Sequence, residues 1–175
     1  MYNKVDTNMN FVEREKKTEQ FWRENNIFRK SMENRKEGET YTFYDGPPTA
    51  NGKPHIGHVE TRTIKDMIPR FQTMKGKYVP RKAGWDTHGL PTELKARKKA
   101  GIGNSAEISV VELRKMCEEF VKGYINDQRT QFKRLGVIGE WDKPYITLNH
   151  EFEAEQIRVF AEMATKGYIL SLIHI

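Results

Sequence analysis

The sequence predicts an α/β fold, in which strands alternate with helices around a parallel sheet. Three observations point to this class. Residues 41–44 alternate tyrosine and phenylalanine with threonine, which is typical of a short strand, and they lead through a loop rich in glycine and proline into a helical stretch. A second apolar run, at residues 78–80, leads into another turn with glycine and another helical stretch. The rest of the chain carries apolar residues at helical spacing.

Size, charge and cysteine content limit the classes of function. The 175 residues, 37% of them apolar, can bury one core, so we expect one domain or a domain with an appendage. A net charge of +6 favours an anionic partner, although a solvated basic surface is the commoner explanation. The single cysteine, Cys117, excludes an intrachain disulfide, and there is neither a signal peptide nor an apolar run of membrane-spanning length. We therefore expect a cytoplasmic protein with no membrane partner.

The first predicted element is an amphipathic helix from residue 10 to about residue 30. Asn10 can cap this helix together with Glu13, three residues later. Its apolar side carries Phe11, Thr18, Phe21, Trp22, Asn25 and Phe28. Such spacing is more typical of a packing strap than of aromatic residues that stack on RNA bases. Residues 31–40 form a connection, so we expect a helical extension at 1–38 and the main domain from residue 39.

The loop between the first strand and its helix has the features of a nucleotide-phosphate site. It reads Gly46-Pro47-Pro48-Thr49-Ala50-Asn51-Gly52 and is followed by His55-Ile56-Gly57-His58. Glycine and proline bring a rigid backbone close to a ligand, and the N-terminus of the following helix offers N–H donors and a positive dipole end to phosphate. Gly57 leaves room for a base or ribose, and His55 and His58, on one helix face, can both donate to phosphate oxygens. Two such histidines could instead cap the helix or hold a metal, but no third ligand follows at a suitable spacing.

The next helix and strand complete the first repeat of the fold. Val59, Thr63, Met67, Phe71 and Met74 follow helical spacing, and Gly76 ends the helix. Pro69 lies inside this pattern and is expected to kink the helix or to remove one hydrogen bond. Residues 78–80 are the predicted second strand. A strand, a glycine-rich loop and a helix form the first unit of a Rossmann-like sheet.

The turn after the second strand reads Gly84-Trp85-Asp86. A carboxylate at the end of such a strand can accept hydrogen bonds from an ammonium group, and the glycines on either side leave room for a ligand. Asp86 could equally cap the helix that begins near Leu90. The sequence pattern by itself leaves both roles open.

The remaining residues predict scaffold helices and one more strand. Ser109 and Glu112 form a capping box at the start of a long helix that ends at Gly136. This helix carries an apolar stripe: Leu113, Met116, Cys117, Phe120, Tyr124, Phe132 and Leu135. Residues 141–147 are the next strand region, and residues 151–166 form a helix. Its expected inward residues are Phe152, Ile157, Phe160 and Met163.

Two blocks of the chain resemble class I aminoacyl-tRNA synthetases. His55-Ile56-Gly57-His58 is similar to their HIGH signature, and the block Gly84-Trp85-Asp86-Thr87-His88-Gly89-Leu90-Pro91, with Glu93, is similar to the isoleucyl branch. Valyl members read Gly-Trp-Asp-His-Ala-Gly there, and leucyl members read Gly-Trp-Asp-Ala-Phe-Gly-Leu-Pro, so the pair Thr87-His88 discriminates among the branches. The resemblance covers about residues 9 to 169.

The resemblance implies a fold, an activity and a set of contacts. The fold is α/β, the N-terminal half of a Rossmann-like nucleotide-binding domain at 39–169, and the activity is ATP-dependent activation of isoleucine and its transfer to tRNA(Ile). In the family pattern, His55 and His58 steady the phosphates as catalytic groups, and Asn51 and Gly57 contact ATP. Gly46 and Pro47 line the amino-acid pocket, in which Asp86 holds the ammonium group. Mg²⁺ accompanies ATP, and a monomer is expected at full length.

The end of the chain departs from the family pattern. The family's second signature, Lys-Met-Ser-Lys-Ser, does not occur, and residues 170–175 match nothing that is expected there. We therefore expect a truncated reading frame or an artefactual junction, no catalytic role for His174, and no useful aminoacylation by the 175 residues alone. A zinc site could lie only in a missing part, because one cysteine cannot build it.

Three alternatives remain open from sequence alone. Valyl or leucyl specificity is opposed by Thr87-His88. A nucleotidyltransferase outside the synthetases also uses His-x-Gly-His on a Rossmann-like core, but it would lack the Gly-Trp-Asp block. A non-catalytic basic module would bind RNA without binding ATP.

Overall fold

The structure is a computed structural model that describes residues 7–103, 107–171 and 173. Within them the elements are, in chain order, α1 (Phe11–Glu24), α2 (Ile27–Glu33), β1 (Phe43–Tyr44), α3 (Ile56–Met74), β2 (Arg81–Trp85), α4 (Leu90–Lys99), α5 (Val110–Arg134), β3 (Glu140–Ile146) and α6 (His150–Thr165). From β1 onwards, each strand is followed by one helix or, after β2, by two. The predicted α/β class is therefore confirmed.

The sheet has three strands in the order β1-β2-β3. Alternate N–H groups from Tyr41 to Asp45 donate to alternate carbonyls from Tyr78 to Lys82, at 2.8 to 3.0 Å. Because the partners advance in the same direction along both segments, β1 and β2 are parallel. The carboxyl ends of parallel strands meet at one edge, which is where ligands bind in folds of this class.

The position of the second strand differs from the prediction. Residues 78–80 precede β2, and only Tyr78 makes an isolated parallel bridge, with Thr40. The strand itself is Arg81–Trp85, and four of its five residues are buried. Gly84 and Trp85 therefore belong to the central strand, while Asp86 follows its end, as predicted.

The chain divides into two compact units, and the first comprises the described residues of Met1–Phe43, His55–Arg81 and Thr130–Glu140. In this unit Phe132 is fully buried, and the guanidinium of Arg62 lies 4.4 Å from the centre of its ring. Arg134 donates to Glu15 and Glu19, at 2.9 Å each. These bonds attach α1 to the end of α5, as expected for a packing strap.

The second unit comprises Tyr44–Pro54, Lys82–Arg129 and the described residues of Trp141–Ile175. Its core contains the fully buried Trp85, whose ring centre lies 6.0 Å from that of Trp141. Phe120, Val121 and Ile125 of α5 are also buried. This unit contains the Gly/Pro-rich loop and the residue that follows β2.

The N-terminal helix is broken, contrary to the prediction of one helix from 10 to 30. Asn10 caps α1, accepting the Glu13 N–H at 3.2 Å. The chain then turns at Asn26, whose φ of 49° is left-handed, and continues as α2 to Glu33. Asparagine tolerates this conformation better than most residues, which explains the position of the break.

The predicted apolar stripes are not all buried. In α6, Ile157 is 69% and Phe160 61% exposed, so the expected inward face is wrong for these residues within the described chain. In α3, Met67, Phe71 and Met74 are exposed, whereas Arg62 and Pro69 are buried. Pro69 lies inside the continuous helix α3, which ends before Gly76. Helical periodicity therefore located these helices but not their buried faces.

Two further points complete the description. Among the described residues, no helix is both long enough and apolar enough to cross a bilayer. Of the predicted tail at 170–175, Leu172, His174 and Ile175 lie outside the described residues.

Candidate functional site

In the second unit, the Gly/Pro-rich loop is bonded to the residue that follows β2. The Asp86 N–H donates to the carbonyl of Pro48 at 3.0 Å, and the Ala50 N–H donates to the carbonyl of Asp86 at 2.8 Å. The Thr49 hydroxyl lies 3.3 Å from Oδ2 of Asp86. The loop therefore extends the parallel pairing of the sheet beyond β1 and holds the Asp86 carboxylate at the carboxyl end of the central strand.

The structure excludes one of the two predicted roles for Asp86. The residue that caps α4 is Gly89, with φ of 101°, and no side chain caps this helix. Oδ1 of Asp86 lies 3.4 Å from the His88 N–H, a long contact within the turn itself. Helix capping is therefore ruled out, and a half-buried carboxylate remains at the strand end.

The other predicted contacts in this unit lie on the same loop. Asn51 is half-buried, and its Oδ1 accepts a hydrogen bond from Nζ of Lys95 at 3.1 Å. Gly46 and Pro47 are exposed. Asn51 thus holds a cation, the ammonium group of Lys95 on α4, beside the loop. The sequence patterns did not predict Lys95 at this position.

Residue 84 is a glycine for a structural reason that differs from the predicted one. A Cβ added at this residue would lie 2.1 Å from Cζ of Tyr145. The Tyr145 ring crosses β2 at this point, and its hydroxyl donates to the carbonyl of Asp45. The space left by Gly84 is therefore filled by a side chain of the same unit, so the prediction that this glycine leaves room for a ligand is wrong.

Gln128 was not predicted to be part of the site. It is fully buried on α5, where its Oε1 accepts the indole N–H of Trp85 at 3.0 Å. Its Nε2 donates to the carbonyls of Thr49 and Gly52, at 3.1 and 2.8 Å. A single glutamine in a helical pattern gives no sequence signal, because its partners are 43 to 79 residues away.

Thr87 and His88 border a cleft of about 740 Å³ in the second unit. Thr87 is buried, and its hydroxyl lies 2.8 Å from that of Thr147. Nε2 of His88 lies 3.0 Å from a carboxylate oxygen of Glu153, which Arg114 approaches to 3.8 Å. The pair that the resemblance uses to discriminate among branches is thus held by Thr147, which follows β3, and by Glu153 of α6.

In the first unit, His55 and His58 cap α3. Nδ1 of His55 accepts the Gly57 N–H, and Nδ1 of His58 accepts the His55 N–H, both at 3.2 Å. His55 is therefore the residue before the helix, not a residue on its face. The first-turn N–H of Gly57, which was expected to be free for phosphate, is already bonded to His55.

These bonds fix the protonation of both rings. A backbone N–H can only donate, so each Nδ1 is unprotonated and the proton of the neutral ring is on Nε2. Burial, and then the nearby His55, lowers the pKa of His58 below its ordinary value. In its neutral form, each ring therefore offers an Nε2–H donor.

Gly57 is restricted by the same cap. A Cβ at this residue would lie 3.1 Å from Cε1 of His55, closer than most real contacts. A side chain here would press on the ring that caps the helix. The capping ring therefore leaves little room for a side chain at residue 57, which is a structural reason for glycine in addition to the predicted space for adenosine.

The structure therefore places the predicted site residues in two groups. Gly46, Pro47, Asn51 and Asp86 lie in the second unit, and His55, Gly57 and His58 lie in the first. Among residues 7–103 and 107–171, no three His, Cys, Asp or Glu side chains are grouped as metal ligands.

Cys117 is half-buried. Its burial and, to a smaller extent, the nearby charge of Glu93 raise the pKa of its thiol.

Comparison with known proteins identifies the relatives. A family model described as tRNA synthetases class I (I, L, M and V) matches residues 17–174. The isoleucine--tRNA ligase of Caldicellulosiruptor bescii is 50% identical over 160 residues, which are 91% of this chain and 17% of that protein. The isoleucine--tRNA ligase of Bacillus subtilis is 48% identical over the same length and the same shares. This chain thus spans about a sixth of the length of these curated relatives.

Among solved structures, the chain is similar to a LeuRS of Agrobacterium radiobacter K84, whose crystal structure is a ternary complex with tRNA and LeuAMS. The TM-score is 0.67 and the sequence identity 25%, over 88% of this chain and 18% of that one. The likeness agrees with the Rossmann-like prediction.

Proposed function

This chain belongs to the class I tRNA synthetases of the isoleucine, leucine, methionine and valine group, and we propose that it forms the first part of the activation site of an isoleucine--tRNA ligase. The observation that carries the choice of amino acid is the identity of 48 to 50% to relatives named isoleucine--tRNA ligase. Thr87 and His88, the pair that matches the isoleucyl branch, agree with this choice.

The proposed reaction has two steps. The carboxylate of isoleucine attacks the α-phosphorus of ATP, the bond to the bridging oxygen breaks, and isoleucyl-adenylate and pyrophosphate form. The isoleucyl group then passes to a hydroxyl of the terminal adenosine of tRNA(Ile), and AMP leaves. The first step requires no general base, because a carboxylate is ionised at pH 7. Positioning and stabilisation of the developing phosphate charge therefore supply the catalysis.

Asp86 is assigned to the ammonium group of isoleucine. Two backbone hydrogen bonds to the loop and the contact with Thr49 hold it at the end of β2. A carboxylate in such a position attracts an ammonium group and gives it a charge-assisted acceptor. Gly46 and Pro47, on the same loop, are assigned to the wall of the amino-acid pocket.

The contacts with ATP are assigned to Asn51, Gly57 and the two histidines. His55 and His58 each have Nε2 free of the capping bonds, so it can donate an N–H to a phosphate oxygen, and Lys95, bonded to Asn51, adds a positive charge beside the loop. Hydrogen-bond donors that are already oriented need no reorganisation when charge develops on the phosphate. His55 and His58 would therefore act as oriented donors.

Mg²⁺ is proposed only as a companion of ATP. The described residues group no metal ligands, so no step is assigned to a metal held by this part of the chain. We also propose a monomeric, cytoplasmic enzyme, with residues 39–169 as the first half of the catalytic domain and residues 1–38 as a helical extension.

The test is amino-acid-dependent exchange of pyrophosphate into ATP by the complete gene product that contains these residues. Isoleucine should support exchange with a higher kcat/KM than valine or leucine. A preference for valine or leucine would reject the isoleucyl assignment. Nucleotidyl transfer that needs no amino acid would reject the synthetase and favour a nucleotidyltransferase.

A further inference from the structure

The oxygen and both N–H groups of the Gln128 side-chain amide are bonded to residues that lie next to Asn51 and Asp86, the proposed substrate contacts. Its oxygen accepts from Trp85, which precedes Asp86, and its two N–H groups donate to the carbonyls of Thr49 and Gly52, on either side of Asn51. The Gln128 side chain is fully buried, and the two loop residues that it contacts are half-buried. One side chain thus joins the strand end to both ends of a four-residue loop segment.

The loop segment Thr49–Gly52 depends on these bonds because it belongs to no strand. Ala50 donates to the carbonyl of Asp86, and Asn51 donates to Thr49, but these bonds do not engage the carbonyl of Gly52. Removing Gln128 would leave the carbonyl of Gly52 without this donor, whereas the carbonyl of Thr49 would keep the N–H of Asn51. Gln128 supplies two donors at once from a rigid helix.

We propose that Gln128 is a positioning residue, which fixes Thr49–Gly52 against the end of β2 and so orients Asn51 and Asp86 toward ATP and the amino acid. This inference rests on the function proposed above. Gln128 does not touch the substrates in this role but acts through the loop. A displacement of about 1 Å of a positioning group can reduce a rate about a hundredfold, so a buried amide can matter without contacting the ligand.

A purely structural role for Gln128 makes a different prediction. In that case its replacement would lower the stability of the whole unit and reduce the amount of active enzyme. The KM values of the remaining active enzyme would then stay unchanged. A positioning role instead changes the KM for ATP or isoleucine and the local protection of the loop in a protein that is still folded.

The test compares three variants of the complete gene product. Gln128→Met keeps the side-chain volume and removes all three hydrogen bonds. Gln128→Glu keeps the acceptor for Trp85 but turns oxygen toward the carbonyls of Thr49 and Gly52. Gln131→Glu, at a half-buried residue of the same helix, controls for a carboxylate added to α5.

Two measurements are made on each variant. Hydrogen exchange of peptides that cover residues 46–54 reports the loop, and pyrophosphate exchange gives KM and kcat with ATP and with isoleucine. For Gln128→Met and Gln128→Glu we expect loop amides to exchange at least about tenfold faster, with the other peptides unchanged, and a KM for ATP or isoleucine at least about tenfold higher. Gln131→Glu should match the wild type in both measurements.

The two measurements separate failure of this inference from failure of the proposed function. Unchanged loop exchange and unchanged KM in Gln128→Met overturn the positioning role. If the wild type shows no exchange with isoleucine, the proposed function fails, and loop exchange alone decides whether Gln128 fixes the loop. If Gln128→Met does not fold, Gln128→Glu decides by the same two measurements.

Discussion

Replacement of Asp86 by asparagine tests the central assignment of the amino-acid site. Asparagine keeps the size of the side chain and one acceptor oxygen, so the contact with the Thr49 hydroxyl can persist. The backbone bonds of Asp86 with Pro48 and Ala50 do not involve the side chain and also persist. The change therefore removes the negative charge and little else.

The expected magnitude follows from the type of bond that is lost. A hydrogen bond to a charged group contributes about 1.5–3 kcal/mol, and each 1.4 kcal/mol corresponds to a factor of ten in affinity. Asp86 is half-buried, so water screens the pair only in part. We expect the KM for isoleucine to rise about 10- to 150-fold, while the KM for ATP changes by less than about threefold.

The assay is pyrophosphate exchange at varied isoleucine, and Thr49→Val is the matched control. This control removes the bond to Oδ2 of Asp86 but leaves the charge in place, so its KM for isoleucine should rise about fivefold or less. An unchanged KM in folded Asp86→Asn would reject the ammonium contact. Equal effects of the two variants would mean that Asp86 acts by holding the loop.

Three further predictions concern stability. Gly84→Ala should lower the free energy of unfolding by roughly 1–3 kcal/mol in urea denaturation, because the added methyl group meets the Tyr145 ring. Adding Tyr145→Leu to the same chain should recover part of this loss, and an equal loss with and without Tyr145→Leu would contradict the prediction. Burial lowers the pKa of His58 in the folded state below its unfolded value of about 6.5. The stability that neutral His58 contributes is therefore present above about pH 6.5 and is lost as the pH falls through the lower folded-state pKa. Thermal melts from pH 8 to 5 should show that His58→Gln reduces this acid loss, and an identical pH profile would refute the linkage. Ser109→Ala removes the cap shared with Glu112 and should cost about 1 kcal/mol, measured by the same denaturation, whereas an unchanged value would show that the end of α5 is held by other contacts.

Local signals predicted local features well. The caps formed by Asn10 with Glu13 and by Ser109 with Glu112 join residues three apart, and both are present in the structure. Asp86 was also predicted to follow a strand, and it does, although that strand is residues 81–85 and not 78–80. These features depend on a few neighbouring residues, so the sequence contains most of the information that determines them.

The register of β2 depended on tertiary contacts. Its first residue, Arg81, is a buried charge, which no strand pattern predicts. Its Nη2 donates to the hydroxyl of Thr73 at 2.8 Å, and Asp66 lies 4.0 Å from Nη1. Burial lowers the pKa of Arg81 to about 10, against the opposing effect of Asp66. Residues 78–80 look more like a strand because they are apolar, and the carbonyls of Tyr78 and Pro80 do accept from Tyr41 and Phe43, but the strand lies at the residues that follow, whose first member is this charged side chain.

Gln128 shows a second limit of sequence patterns. Its three bonds join residues that are far apart in the chain, and none belongs to a motif that includes Gln128. The signature of the loop predicts a site, but not the helix that holds the loop in place. Positioning groups of this kind are found only when the hydrogen bonds of the loop carbonyls are traced to their donors.

His55 and His58, the two histidines of the signature, cap α3 and are also the proposed contacts with phosphate. As caps, each uses Nδ1 to accept a backbone N–H, which satisfies donors at the start of α3. The same bonds hold each proton on Nε2, the state in which a neutral imidazole can donate to phosphate. Replacement by asparagine, which can cap a helix but reaches less far, should therefore preserve α3 while slowing adenylate formation. Capping and the proposed phosphate binding use different nitrogens of the same rings, so the helix cap is compatible with the proposed site.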